Sequence, residues 1–156
     1  MAQRSRVLRV PLALMAMLLV VLALAGPALA SNHKAFLFTR MTGEKEVPGP
    51  GDSDGVGLVG VKISLDTDMV CWAFNVDRIM LPATAAHIHE APRGVAGDVV
   101  VTLSPPDANG RGRGCTSADS ALLDDIAANP GEYYVNVHNE EFPAGAIRGQ
   151  LHRLPG

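Results

Sequence analysis

Five histidines occur in the chain, and three of them stand where imidazoles could act together. If Ala85-Ala86-His87-Ile88-His89 is a β-strand, His87 and His89 share a side about 6.5 to 7 Å apart, with Ile88 on the other. Tyr133-Tyr134-Val135-Asn136-Val137-His138 alternates in the same way. Tyr133, Val135 and Val137 would face one side, and Tyr134, Asn136 and His138 the opposite one. His138 joins the first pair if the two strands are neighbours. Three neutral imidazoles suit Cu(II), Cu(I) or Zn(II), with a carboxylate or water completing the shell. Copper leads zinc because it stands higher in the Irving–Williams order for nitrogen donors. Each ligand ring needs an acceptor for its other N–H, and Asn136, Glu90 and Gln150 are near enough in sequence to be considered. Arg148 shares a face with Gln150 and reads either as an anion-guiding group or as a partner for acidic residues. The competing reading is a buried polar network, with the histidines bonded to Asn136, Arg148 or backbone carbonyls and no metal. His33 and His152 read as solvated.

The elements that must position these residues are strands. Val59, Val61, Ile63 and Leu65 alternate with smaller or polar residues. After Asp66-Thr67-Asp68 comes Val70, Trp72, Phe74 and Val76, so the two runs read as a hairpin. Further strand candidates are Ala35 to Thr39, Ala85 to His89, Asp98 to Leu103, Tyr133 to His138 and Ala146 to Leu151. One helix is expected, capped by Thr116 or Ser117, with Leu122, Leu123 and Ile126 on a face and Asn129-Pro130-Gly131 as its stop. Gly49 to Gly57 and the glycine-rich Pro105 to Gly114 read as loops. With sixteen Gly and eleven Pro, the expectation is all-β: an immunoglobulin-like or Greek-key β-sandwich of about seven or eight short strands and one short helix.

Residues 1–30 follow a secretory pattern: Arg4, Arg6 and Arg9, an apolar run from Val10 to Ala25, then small residues ending at Ala28-Leu29-Ala30. The run is somewhat short of the roughly 20 residues of a spanning helix, which favours cleavage after Ala30 over an anchor. The expected mature protein, Ser31 to Gly156, is a single domain, exported to the periplasm or the extracellular space, with no membrane attachment after cleavage. Its ten Lys/Arg and sixteen Asp/Glu leave a formal charge of −6, so nucleic-acid binding is not expected. In an oxidising compartment Cys71 and Cys115 are expected to pair. Cys71 faces away from the Trp72 and Phe74 side of its strand, and Cys115 ends the glycine-rich loop.

Glu46-Val47-Pro48, Ala85-Ala86-His87-Ile88-His89, Gly94-Val95-Ala96-Gly97, Tyr133 to His138 and Pro143-Ala144-Gly145-Ala146-Ile147-Arg148-Gly149-Gln150-Leu151 resemble, in order, the motifs of the CHRD (chordin-type) domain. The resemblance runs from about Ala35 to Leu151. It implies an immunoglobulin-like or similar β-sandwich of a kind that occurs widely in exported bacterial proteins, and says little about activity. The sequence departs from the family pattern at Ala146, where Glu usually precedes the Ile-Arg-Gly-Gln-Leu run, and at Asn139, where Thr or Ser is common. A looser resemblance is to the copper-zinc superoxide dismutases, in which a His-x-His strand, a later Val-x-His strand and a C-terminal Arg follow the same order as His87, His89, His138 and Arg148. No histidine lies between His89 and His138 to bridge two metals or build a zinc site, so a complete dismutase site is not expected. The readings carried forward are a metal-binding module, a dismutase- or oxidase-type copper enzyme, and a structural or adhesive domain that binds an extracellular or envelope protein without metal.

Other constellations are weak. Ser117, Asp119 and Ser120 lack a histidine in register for a hydrolase triad. Asp52, Asp54, Asp66 and Asp68 lack the spacing of a calcium loop.

Overall fold

Among the described residues the chain forms nine strands, eight of them on one continuous path, and alternation of inward apolar with outward residues runs through the longest of them. The computed structural model describes residues 33–154. Strands β1 (Lys34–Thr42), β2 (Val56–Ser64) and β3 (Met69–Asp77) form a meander, and β4 (Ala85–Glu90) and β5 (Asp98–Leu103) a second pairing. They are followed by β6 (Arg111–Ser117), helix α1 (Ser120–Ala128), β7 (Tyr133–His138), β8 (Ile147–Gln150) and the two-residue β9 (His152–Arg153). All pairings are antiparallel, in the order β5-β4-β7-β8-β1-β2-β3-β6, with β9 added beside β1.

The join between β8 and β1 is a single pair, Thr42 opposite Arg148. The sheet therefore folds there into two halves, β5-β4-β7-β8 and β1-β2-β3-β6, whose inward residues make one core. Val59, Val61, Trp72 and Phe74 come from one half, and Ile88, Val101, Val135 and Val137 from the other. The far edges approach each other through the β5–β6 connection. The Trp72 indole N–H donates to Ser104 O at 3.2 Å, and Ala83 N–H to Pro106 O at 3.1 Å. The result is an all-β, sandwich-like, nearly closed sheet with one short helix, as expected.

Two local expectations are corrected. Arg111 to Gly114 is strand, not loop, pairing in register with β3 from Asn75↔Arg111 to Met69↔Ser117. Its alternation is disguised because the inward positions are glycines. A Cβ on Gly114 would lie 2.7 Å from the Trp72 ring, and one on Gly112 would lie 3.0 Å from Pro105 O. Only the preceding turn is irregular, where Asp107 Oδ1 accepts the N–H groups of Asn109 and Arg111. The helix cap also moves. Thr116 and Ser117 belong to β6, and Asp119 caps α1 by accepting the Leu122 N–H at 3.1 Å. Leu123, Ile126 and Ala127 are its buried face, and the Tyr133 hydroxyl donates to Asp125 to fix the helix against β7.

Cys71 and Cys115 are opposite one another on β3 and β6 and form a disulfide. The bond ties an edge strand to its neighbour on the outward side, rather than tethering a loop.

Candidate metal centre

The register of three strands builds the site on the outward side of the first half-sheet. His87 lies opposite Asn136 and His89 opposite Tyr134 across β4–β7, while Tyr134 pairs with Gln150 and Asn136 with Arg148 across β7–β8. The period of two then brings His87, His89, Tyr134, Asn136, His138, Arg148 and Gln150 to one face. His89 and Tyr134 meet directly across the strands, while His87 with His138, His89 with Asn136 and Arg148 with Tyr134 meet diagonally, from one row to the next.

His87 Nδ1 and His138 Nε2 are 3.1 Å apart, with ring centroids at 5.0 Å. His89 stands 5.5 Å from His87, ring centre to ring centre. One ligand nitrogen from each of the three rings lies within 4.8 Å of the others. The backbone orients two of these rings. His138 Nδ1–H donates to Pro143 O at 3.1 Å and His89 Nδ1–H to Gly97 O at 2.9 Å, since a carbonyl can only accept. Both rings thereby keep the lone pair on Nε2. His87 Nδ1–H must then donate to His138 Nε2. Asn136 Oδ1 lies 3.1 Å from His89 Nε2; with the lone pair on that nitrogen, the contact becomes a hydrogen bond when the amide is turned to present its NH₂.

Burial lowers the pKa of both His87 and His138 below the ordinary imidazole value. For His87 the neighbouring rings of His138 and His89 add to the effect, against a smaller opposing bond from Asn136. For His138 the Pro143 bond partly offsets burial, and His89 acts with it. Both rings are therefore held in the neutral form that coordinates metal.

The remaining polar residues form a scaffold. Tyr134 is stacked on His89 (4.6 Å, 7°), and the Arg148 guanidinium lies 3.4 Å from the centre of the same Tyr134 ring. Arg148 is 2% exposed and donates from Nη2 to Pro92 O at 3.2 Å. It neither faces incoming anions nor pairs with surface acids. The expectation that it does either is corrected: its register places it under the β4–β5 connection. Gln150 donates to Ala91 O and Gly131 O, both at 2.7 Å, and not to a histidine. Glu90 is exposed at the end of β4. Of the three residues considered as acceptors for a ring N–H, Asn136 contacts a ring, at His89 Nε2, while the N–H groups of His89 and His138 are received by the carbonyls of Gly97 and Pro143.

A model of the CHRD domain matches residues 37–151. The chain belongs to the CHRD family. The match includes every residue of the histidine face, and no curated protein or solved structure matches the chain. Within this CHRD domain, the spaced motifs turn out to supply backbone as much as side chains. Gly97 brings its carbonyl to His89 because a Cβ there would lie 1.9 Å from Glu90 O. Pro143 does the same for His138. Ala146, where the family pattern has Glu, is fully buried and donates its N–H to Val137 O, so no carboxylate enters from that position.

Sequence reasoning assigned no role to Glu46. It is 7% exposed, its carboxyl is packed against Gly145, and burial pushes its pKa up to about 7 against the pull of Arg148. Among the described residues, Glu46 Oε1, Arg148 Nη1 and Thr42 Oγ1 are buried without a protein hydrogen-bond partner. The signal for Glu46 was its place in a motif, Glu46-Val47-Pro48. That it feels the charge of Arg148 became visible only once β1 and β8 were paired.

His33 forms an exposed pair with Asp66 at 2.9 Å, and the His152 ring lies edge-on to Phe38. Neither joins the three histidines. Among the described residues, no helix is long and apolar enough to cross a membrane.

Proposed function

We propose that this CHRD domain is an exported binding module that holds one transition-metal ion, copper ahead of zinc, through His87, His89 and His138. The observation that carries the reading is the convergence of three imidazole nitrogens within 4.8 Å, two of them on rings whose other N–H is already bound to a carbonyl. That is the usual arrangement behind metal-ligating histidines. Two nitrogens at 2.0–2.1 Å from one tetrahedral ion are about 3.3 Å apart, close to the 3.1 Å between His87 and His138. The donor set fits: the His87 proton moves from Nδ1 to Nε2, so that the neutral ring offers Nδ1 to the ion, and His89 exchanges its Asn136 contact for the ion. Copper leads on the Irving–Williams order, and export takes the protein away from the cytosol's control of copper. Export itself rests on residues 1–30, which lie outside the described residues, and on the disulfide. N-terminal sequencing of native protein is expected to begin at Ser31.

A second reading, a purely structural histidine network, is supported by the bonds His87–His138 and His89–Asn136, which satisfy the rings without metal. Copper titration separates the two, with wild type beside His87→Ala and His138→Ala, each variant checked for folding by circular dichroism. The metal reading expects one equivalent bound by wild type and marked weakening in both variants. Equal affinity in all three would leave the histidines as structure. The dismutase-type reading loses its anion guide with the burial of Arg148. Copper-loaded protein is expected to turn over superoxide no faster than a small copper-peptide complex.

A further inference from the structure

The outward side of the other half-sheet, β1-β2-β3-β6, has no part in the histidine site. Its register sets out four rows across the strands. Lys34 is level with Ser64, Met69 and Ser117; Phe36 with Lys62, Cys71 and Cys115; Phe38 with Gly60, Ala73 and Arg113; Arg40 with Leu58, Asn75 and Arg111. Two properties of this array are unusual for the chain. Lys34, Arg40, Lys62, Arg111 and Arg113, five of the ten Lys/Arg of residues 31–156, stand on it, whereas Asp77 is the one acid of these four strands. The region as a whole carries −6, so positive charge has been gathered onto one face. Between the cations lie exposed apolar side chains. Phe36 and Leu58 are each 53% exposed, and Leu154, just beyond β9, is 54% exposed.

The middle of the array is a depression. Gly60 and Ala73 leave the third row without bulk, and a groove of about 490 Å³ runs over them, bounded by Phe36, Phe38 and Leu154 and flanked by Lys62. A solvent-facing sheet position occupied by glycine weakens a strand, yet nothing lies within 4 Å of where a Gly60 Cβ would be. No local packing demands the glycine. Space above the sheet is what it provides.

We propose that this face is a docking surface for another protein, which presents an acidic segment with one bulky apolar side chain seated over Gly60 and Ala73. The cationic border matches the acid, and the apolar depression takes the side chain. The chain's own residues 1–30 are a poor occupant by charge, since they carry Arg4, Arg6 and Arg9 and no acid. A second copy would have to offer a different, acidic surface to this one, a heterologous contact that tends to grow into open chains. Phe36, Leu58 and Leu154 also protrude as contact with a bilayer would require, so the test below includes vesicles.

The test uses purified wild-type protein and fluorescence anisotropy of a labelled synthetic heptapeptide, a central Phe between three acidic residues on either side. A companion peptide has Ser for Phe. Two variants address the two features separately: Gly60→Leu fills the depression, and Lys62→Glu with Arg113→Glu reverses the border. All of these positions are exposed strand residues, so thermal melting is expected to be unchanged. The proposal expects saturable binding by wild type, weakened about tenfold or more by either variant or by the Ser peptide. It is overturned by the absence of saturable binding, or by equal binding in variants that melt normally. It is also overturned by binding to phosphatidylglycerol vesicles in preference to the peptide. Self-association of wild type in sedimentation equilibrium that Gly60→Leu abolishes would overturn it too, since the occupant would then be a second copy.

Discussion

The two outward sides of this sheet obey the same alternation and have opposite fates. On β4-β7-β8 the outward residues are His, Tyr, Asn, Arg and Gln; His87 and His138 are half-buried and the others buried, with Asn136 3% exposed, Gln150 6% and His89 8%. On β1-β2-β3-β6 the outward residues include Phe36 and Leu58, and these are open to solvent. Residue type alone would have assigned burial the other way round. The difference lies in what covers each half. The segment from Ala91 to Gly97, the turn at Pro143 to Gly145 and Glu46 lie over the first, and their carbonyls receive the buried N–H groups. Among the described residues, little but Leu154 approaches the second. A polar side chain can be buried when backbone acceptors arrive with the cover, and an apolar one left exposed when nothing does.

Breaking the disulfide should give the largest effect, and only on stability. Cys71 and Cys115 are 44 residues apart, and closing such a loop is worth about 4 kcal/mol in the chain-entropy model. Cys71→Ala with Cys115→Ala is expected to lower the unfolding free energy by about 2–4 kcal/mol in urea titration. Copper affinity at the covered face should be unchanged, and a loss there would mean that the two faces are coupled.

The covered face is next. His138→Ala is expected to weaken copper binding on the order of 100-fold, whereas Asn136→Leu removes only the contact that His89 gives up for the ion and should leave the affinity within a few-fold of wild type. The pH profile sharpens this. His87 and His138 titrate below the usual 6.5, so wild-type affinity should persist below that pH and fall only as both rings take up protons. Competition titrations with a chelator across the acid range would show it. An affinity already halved at pH 6.5 would mean that the rings are not desolvated as placed.

Glu46 offers an effect intermediate in size. Its folded pKa, about 7, is raised from 4.5, so its contribution to stability is fully present below 4.5 and is lost as pH rises through 7. Glu46→Gln should therefore match wild type near pH 4 and exceed it by about 1–3 kcal/mol near pH 8. A variant equally stable at both would place the carboxyl in water. The smallest effect is expected on the bare face, where Leu58→Ser should change stability by no more than about 0.5 kcal/mol. A larger loss would show that this side is covered.

Much of this was legible before folding. Period-two runs identified seven of the nine strands, the Asp66-Thr67-Asp68 turn set the β2–β3 hairpin, and two-residue spacing put His87 beside His89. Those are local properties, decided by the pleat. The strand β6 escaped because its inward positions are glycines, a choice required by Trp72 and Pro105 and invisible without them. The meeting of His138 with His87 depended on β4 lying next to β7, two strands separated in sequence by β5, β6 and α1. Arg148 is the sharpest case. Its outward direction followed from alternation, but whether outward meant solvent or interior depended on a connection some fifty residues earlier in the chain. Alternation along a strand is a property of the backbone and can be read from the sequence. Which strands adjoin, and what settles over them, is decided by the summed burial of the whole chain, and only the tertiary structure records that sum.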